Sequence, residues 1–249
     1  MQAQQTNDRQ VIAITGTDRL DFLQGLITND IKHRNQGLLY TALLTPQGKY
    51  LADFFLTAQD DQILLDIKSD LAAAVTQRLS MYKLRADVAL TPTDIPVIRG
   101  LGDTPTGAHP DPRHPSLGWR HYGDIPHTPT DIDWNALRVA ACVPETGIEL
   151  IPNDTFILEA GFERLHGVDF KKGCYVGQEV TARMKHKTEL RKGLTTVTVQ
   201  GQAAPGTEIT ANGKTAGTLF TQSGEQAIAY LRFDRATGDM RAAGATVSL

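Results

Sequence analysis

Eight of the chain's 12 prolines (92, 96, 105, 110, 112, 115, 126 and 129) fall between residues 92 and 130. Proline fixes φ and has no N–H to donate, so this stretch cannot be a long helix or the centre of a sheet. It predicts a Pro-rich connection over 92–130, with short strands surviving near Val97-Ile98 and Trp119-Arg120. The same segment holds His109, His114, His121 and His127. Their uneven spacing does not match compact zinc patterns, and no metal ligands are expected there.

On either side the patterning is regular. Val11 to Ile14 reads as a strand, and Asp18 as the cap of a helix carrying Phe22, Leu23, Leu26 and Ile27. Leu38–Leu44 and Tyr50–Leu56 read as strands joined by Pro46-Gln47-Gly48, followed by a strand at Ile63–Ile67. Ser69-Asp70 then open a helix with Leu71, Val75, Leu79 and Tyr82 at helical spacing. The order suggests α+β packing over 1–91, with helices on one face of a largely antiparallel sheet. A second half, 131–189, begins with a short helix over Asp133–Cys142, its buried side expected at Leu137, Ala140 and Ala141, and Cys142 is expected in the core. From 190 to 249, short β segments at 195–199, 208–210, 215–220, 227–232 and 246–248 alternate with Gly-containing turns, as in a small barrel.

Composition narrows the classes. A net charge of −3, 41% hydrophobic and 21% charged residues fit a globular protein and give no reason for nucleic-acid binding by the whole surface. The polar start, Met1 to Gln10, predicts no secretory signal, transit peptide or membrane span. A cytoplasmic location follows, or a mitochondrial matrix one in a eukaryote. Cys142 and Cys174 are the only thiols. Two are too few to hold an iron–sulfur cluster through cysteine alone, and they form no Cys-x-x-Cys pair.

The densest chemistry lies at Lys171-Lys172-Gly173-Cys174-Tyr175-Val176-Gly177-Gln178-Glu179. A thiol acts as a nucleophile only as thiolate, and adjacent ammonium groups together with a helix starting after Gly177 favour that form. Gly173 and Gly177 suit special backbone angles or a close approach of the main chain. Between 171 and 192, seven basic residues (Lys171, Lys172, Arg183, Lys185, Lys187, Arg191, Lys192) meet only Glu179 and Glu189. Such a basic run suits a solvated face, RNA or an acidic protein partner.

The block from Lys172 to Glu179, followed by Arg183, resembles the signature of the YgfZ family. These are folate-binding proteins related to the T-protein (aminomethyltransferase) of the glycine cleavage system, with a mitochondrial branch acting in iron–sulfur cluster assembly. Further blocks are similar in family order: Asp18-Arg19, Phe22-Leu23-Gln24-Gly25, Thr28-Asn29-Asp30, Leu44-Thr45-Pro46-Gln47-Gly48-Lys49, Tyr82-Lys83-Leu84-Arg85 and Leu158-Glu159-Ala160-Gly161. The resemblance implies an α+β fold of T-protein-like folate-binding sheet domains plus a C-terminal β-barrel.

It also implies roles. Glu159 matches the glutamate that hydrogen-bonds the pterin of folate, and a carboxylate can accept two parallel N–H bonds from a 2-amino-pyrimidinone edge. Cys174 would be the redox or transfer thiol, activated by Lys172 and its neighbour. Tyr82 and Arg85 would offer a stacking face and a cation for the folate tail, and Asn29 a hydrogen bond to ligand or a cap of its turn. Gln178 would hold the Cys turn, and Arg183 an anionic group or Glu179. Asp53 stands where the aminomethyltransferase has one of two adjacent aspartates, the other position being Ala52 here, which argues against true transferase activity.

The expected cofactor is tetrahydrofolate, and the expected partners are iron–sulfur assembly or client proteins, with possible contact to tRNA and a link to tRNA modification. No membrane partner is expected. Two alternatives stand beside this reading: a folate-dependent one-carbon transferase, and a non-enzymatic RNA- or protein-binding module using the basic run.

Overall fold

The structure, a computed structural model, describes residues 1–186 and 190–249. Lys187 and Glu189 of the basic run lie outside the described residues. The chain forms two compact units, 1–132 with 163–178, and 133–162 with 179–249, so that residues 131–189 are shared between them. Among the described residues no helix is long and apolar enough to cross a membrane.

The first unit contains β1 (Gln2–Gln5), β2 (Arg9–Thr15), α1 (Arg19–Gln24), a 3-10 turn (Ile31–Gln36), β3 (Leu39–Leu44), β4 (Tyr50–Gln59), β5 (Gln62–Lys68) and α2 (Ser69–Lys83). It continues with β6 (Ala89–Thr93), β7 (Val97–Gly100), β8 (His109–Pro110), β9 (Trp119–Tyr122) and β10 (Thr128–Pro129). One antiparallel sheet runs in the order β3-β4-β5-β2-β6. Period-two alternation sends Ile12 and Ile14 to one face, where they join Leu23, Ile27, Phe54, Leu65, Val75 and Leu79 beneath the helices. Val11 and Ala13 point the other way, together with Leu64 of β5, against Val97 of a second sheet, ordered β10-β1-β7-β9-β8.

That second sheet is where the proline-rich segment goes, and it differs from the irregular connection expected. Four of its five strands come from residues 97–129. The prolines are tolerated because those within strands, Pro92, Pro110 and Pro129, lie on β6, β8 and β10, each at a sheet edge. Gly100 is required by a close approach: a Cβ there would sit 2.1 Å from the indole of the fully buried Trp119.

Between the sheets lies a buried charged layer. Asp66 accepts from Arg9 (2.6 Å), Arg120 (3.2 Å) and the Tyr122 hydroxyl (3.0 Å). Asp111 is held by Arg113 (2.8 Å) and Arg120 (3.3 Å). The guanidinium groups of Arg9, Arg113 and Arg120 lie 5.8, 4.8 and 4.2 Å from the centre of the Phe55 ring.

The second unit holds α3 (Trp134–Ala140), most of α4 (Gln178–His186) and six strands: β11 (Lys192–Gln200), β12 (Thr207–Ala211), β13 (Lys214–Ser223), β14 (Gln226–Arg232), β15 (Met240–Ala242) and β16 (Ala245–Ser248). The strands close into a barrel in the order β11-β14-β13-β12-β15-β16, filled by residues such as Val197, Ile209, Leu219, Leu231 and Val247. The expected barrel is present. The segment missed in the sequence, β15, is short and carries a charged residue, Arg241, between Met240 and Ala242.

Smaller expectations are corrected. Asp18 makes no cap bond to α1; its carboxylate accepts from Asp87 N–H instead, at 2.8 Å. Helix α2 buries Ala72, Val75 and Leu79, while Tyr82 turns outward with 39% of its surface exposed. Helix α3 buries Arg138 and Val139 rather than Leu137, Ala140 and Ala141. Arg138 can be buried because Glu149 takes up its charge at 3.0 Å and Thr221 also accepts from it. Cys142 is partly exposed, in a left-handed turn (φ 51°) after α3, instead of in the core.

Candidate functional site

Four of the sequence blocks meet in the first unit. Lys172 is buried to 5% exposure, and its ammonium donates to the carbonyls of Gln24 (2.8 Å), Ile27 (2.5 Å) and Asn29 (3.0 Å). An ammonium has three protons, so these bonds use its full donor capacity. Burial brings its pKa down to about 8, against the pull of Asp30 and Asp169. The same nitrogen lies 4.9 Å from the centre of the buried Tyr175 ring. Val176 N–H donates to Gly25 O at 3.2 Å.

Gly177 completes the attachment. Its φ is +84°, and a Cβ there would come within 2.5 Å of Thr45 O in the β3–β4 turn. Gly173 has neither constraint and faces open space. The segment is thus fixed through residues 172, 175, 176 and 177, while Gly173 and Cys174 point outward. Cys174 is an exposed free thiol. Helix α4 starts at Gln178, whose N–H donates to Tyr175 O at 3.1 Å. On α4, Arg183, Lys185 and His186 are exposed.

Asn29 is brought to this locus but is fully engaged. Its amide donates to Tyr40 O (2.9 Å) and His166 O (2.7 Å), and its side-chain oxygen accepts from Asp30 N–H (2.9 Å). Asp30 in turn caps the 3-10 turn through Lys32 N–H. Asp53, 7% exposed, accepts from the hydroxyls of Tyr50 (2.6 Å) and Tyr40 (3.0 Å). Burial, then the Asp53 charge, raises the Tyr40 phenol well above its usual range. A carboxylate held by two tyrosines in this way is a structural anchor of β3 and β4.

Tyr82 and Arg85 are exposed at the end of α2, beside the 87%-exposed Leu84. Glu159 belongs to the second unit. Its Oε2 accepts from the Tyr230 hydroxyl at 2.6 Å, and among the described residues its Oε1 faces the Lys192 ammonium, 3.9 Å away. Burial and this hydrogen bond push the Tyr230 phenol well above its normal range. The backbone around Glu159 is fixed as well: its carbonyl accepts from Leu194 N–H at 2.7 Å.

Tyr230 and Lys192, the partners of Glu159, escaped sequence reasoning because they arrive from β14 and β11. So did a cavity of about 670 Å³ in the first unit, lined by Asn29, His33, Leu39, Tyr40, His166 and Phe170 among others. The four histidines of the proline-rich segment have these hydrogen-bond partners: Thr57 of β4 for His109, Ser116 for His114, Gly107 O for His121 and Ile125 O for His127.

This combination of sheets and barrel is the fold of the glycine-cleavage T-proteins. The whole chain is similar to the glycine cleavage system aminomethyltransferase T from Bartonella henselae, covering 85% of that chain with a TM-score of 0.78 and 13% identity, a likeness of fold alone. Residues 191–249 match the family model of the CAF17 C-terminal beta-barrel domain.

In sequence, the chain is similar to the mitochondrial iron–sulfur cluster assembly factor IBA57 homolog of Mycosarcoma maydis, 33% identical over 217 residues that cover 74% of this chain and 54% of that protein. The IBA57 homolog of Neurospora crassa is 31% identical over 224 residues (74% of this chain, 50% of that protein). Mitochondrial IBA57 of Mus musculus is 28% identical over 284 residues (93% and 78%). The chain spans about half the length of the two fungal relatives. The YgfZ resemblance fits these relatives broadly.

Proposed function

We propose that this chain is an iron–sulfur cluster assembly factor that binds tetrahydrofolate and presents Cys174 to a partner protein. The observation that carries the proposal is the Cys174 turn: residues on both sides of the thiol are anchored, yet the thiol itself is exposed. A fixed, accessible thiol suits transient exchange of sulfur, iron or electrons with a client's cluster. Two cysteines cannot hold a cluster through thiolates, so the cluster is cargo. The relatives named as iron–sulfur cluster assembly factors support the same reading.

Lys172 serves this function by position. With its three protons on backbone carbonyls, it fixes the turn that displays Cys174. The exposed cations of α4, Arg183 and Lys185, supply a face for an acidic partner or for tRNA, through which a link to tRNA modification would run.

Folate fits the Glu159 site in part. Oε1 can accept one N–H of a 2-aminopyrimidinone edge, and Oε2 can accept a second when the Tyr230 hydroxyl turns away. Bound there, tetrahydrofolate would supply a reduced one-carbon carrier. The one-carbon transferase reading is disfavoured, because Asp53 is buried against Tyr40 and Tyr50. The setting is the reducing one in which clusters are built, cytoplasm or mitochondrial matrix.

The test is depletion of the protein in its own cells. Iron–sulfur enzymes should lose activity while their polypeptides persist, and unchanged activity would refute the assignment.

A further inference from the structure

Three side chains outside the proposed thiol and folate chemistry converge in the first unit. The facing ligand atoms of Asp30, His33 and Asp169 all lie within 4.8 Å of one another, and His33 Nε2 is 3.6 Å from Asp169 Oδ2. Two come from consecutive corners of one turn. Asp30 is the cap of the 3-10 turn and His33 follows three residues later, the spacing at which side chains of a 3-10 helix eclipse. The third comes from the 163–178 segment, positioned by the Asp169 N–H bond to Thr28 O at 3.1 Å.

Each carboxylate is oriented from behind. Asp30 Oδ1 accepts from Lys32 N–H (3.0 Å) and from the Gln24 amide (3.1 Å). Asp169 Oδ1 accepts from Lys171 N–H (2.6 Å). These bonds leave Asp30 Oδ2 with no hydrogen-bond partner among the described residues and Asp169 Oδ2 facing His33. Outer-shell bonds of this kind orient the ligands of metal sites.

We propose that Asp30, His33 and Asp169 bind a first-row divalent metal ion at the edge of the 670 Å³ cavity, which shares His33 and Asp169 in its lining. The site stands independently of the folate and cluster readings. Two carboxylates and one imidazole form a mixed oxygen–nitrogen set that suits manganese, iron(II) or zinc better than soft copper(I). Bonds of about 2.0–2.2 Å in a tetrahedral arrangement need ligand atoms about 3.4 Å apart. The His33–Asp169 pair is close to that spacing, and His33, with 47% of its side chain exposed, can rotate to close the set. Three protein ligands leave a position open toward the cavity, as exchangeable or catalytic sites do.

The experiment titrates the full chain with Zn²⁺ by calorimetry and with Mn²⁺ by electron paramagnetic resonance. One equivalent should bind. Asp169→Asn keeps the acceptor for Lys171 N–H, and His33→Ala removes an exposed ring. Each should weaken binding at least about tenfold without moving the metal-free melting temperature. His121→Ala, elsewhere in the same unit, should bind as wild type does. The proposal is overturned if no ion binds, if either site variant binds as tightly as wild type, or if His121→Ala weakens binding equally.

Discussion

Lys172 donates its ammonium proton to the carbonyl of Asn29 at 3.0 Å, and the Asn29 amide donates to His166 O at 2.7 Å, so each residue ties the 163–178 segment to the start of the chain. Two residues selected as ligand or catalytic groups thus share one task, holding the Cys174 turn in place. Lys172→Met would leave three buried carbonyls without their charged donor. It should lower stability by about 2–4 kcal/mol, using about 1–3 kcal/mol for each buried group left unsatisfied, reduced by relaxation. Denaturant unfolding measures this, and an unchanged midpoint would show that the carbonyls find other partners.

The two thiols should react unequally. Cys174 is exposed beside an unconstrained glycine, whereas Cys142 is half-buried in a tight turn. Limiting iodoacetamide at neutral pH should modify Cys174 first, and Cys174→Ser should remove the fast phase. Equal labelling of the two would contradict the display role of the turn.

Much of this arrangement was legible in the sequence, and its limits have physical causes. The β3–β4 turn, α2 and the barrel follow from local periodicity and turn chemistry. Gly177 was singled out as a residue needing a special backbone, and its close approach to Thr45 O is the reason. The proline segment misled because proline density argues against central strands but allows edge strands, which β8 and β10 are. Arg138 was not expected on the buried side of α3 because helical spacing cannot show that Glu149 pairs with its charge and Thr221 accepts its hydrogen bond. Asn29 and Asp53 were recognised as important polar residues, but their partners His166 and Tyr40 depend on tertiary and cross-strand pairing.

Folate binding gives a paired expectation. Glu159→Ala should weaken tetrahydrofolate binding by about 1–3 kcal/mol, the cost of an unpaired polar partner. Tyr230→Phe frees Oε2 to accept a second N–H, so affinity should be retained or increased. Calorimetric titration distinguishes these outcomes. Loss of affinity in Tyr230→Phe equal to that in Glu159→Ala would move the pterin contact to the phenol.

Acid stability should depend on the charged layer between the two sheets. Burial alone would raise Asp111 and Asp66, but Arg113 with Arg120, and Arg9 with Arg120, hold both carboxyls below the ordinary value of 3.8. With folded values below unfolded ones, their stabilisation is complete above about pH 4 and is lost as the pH falls through the lower folded values. Asp111→Asn should therefore shift the acid midpoint of unfolding upward. An acid midpoint identical to wild type would show that the layer contributes nothing to acid resistance.

An exposed, rigidly held thiol should support the assembly of clusters carried by other proteins. Cells lacking this chain should be complemented with wild type or with Cys174→Ala at matched protein levels, and the activity of iron–sulfur enzymes measured. Wild type should restore that activity and Cys174→Ala should not. Full restoration by Cys174→Ala would contradict the role assigned to the thiol.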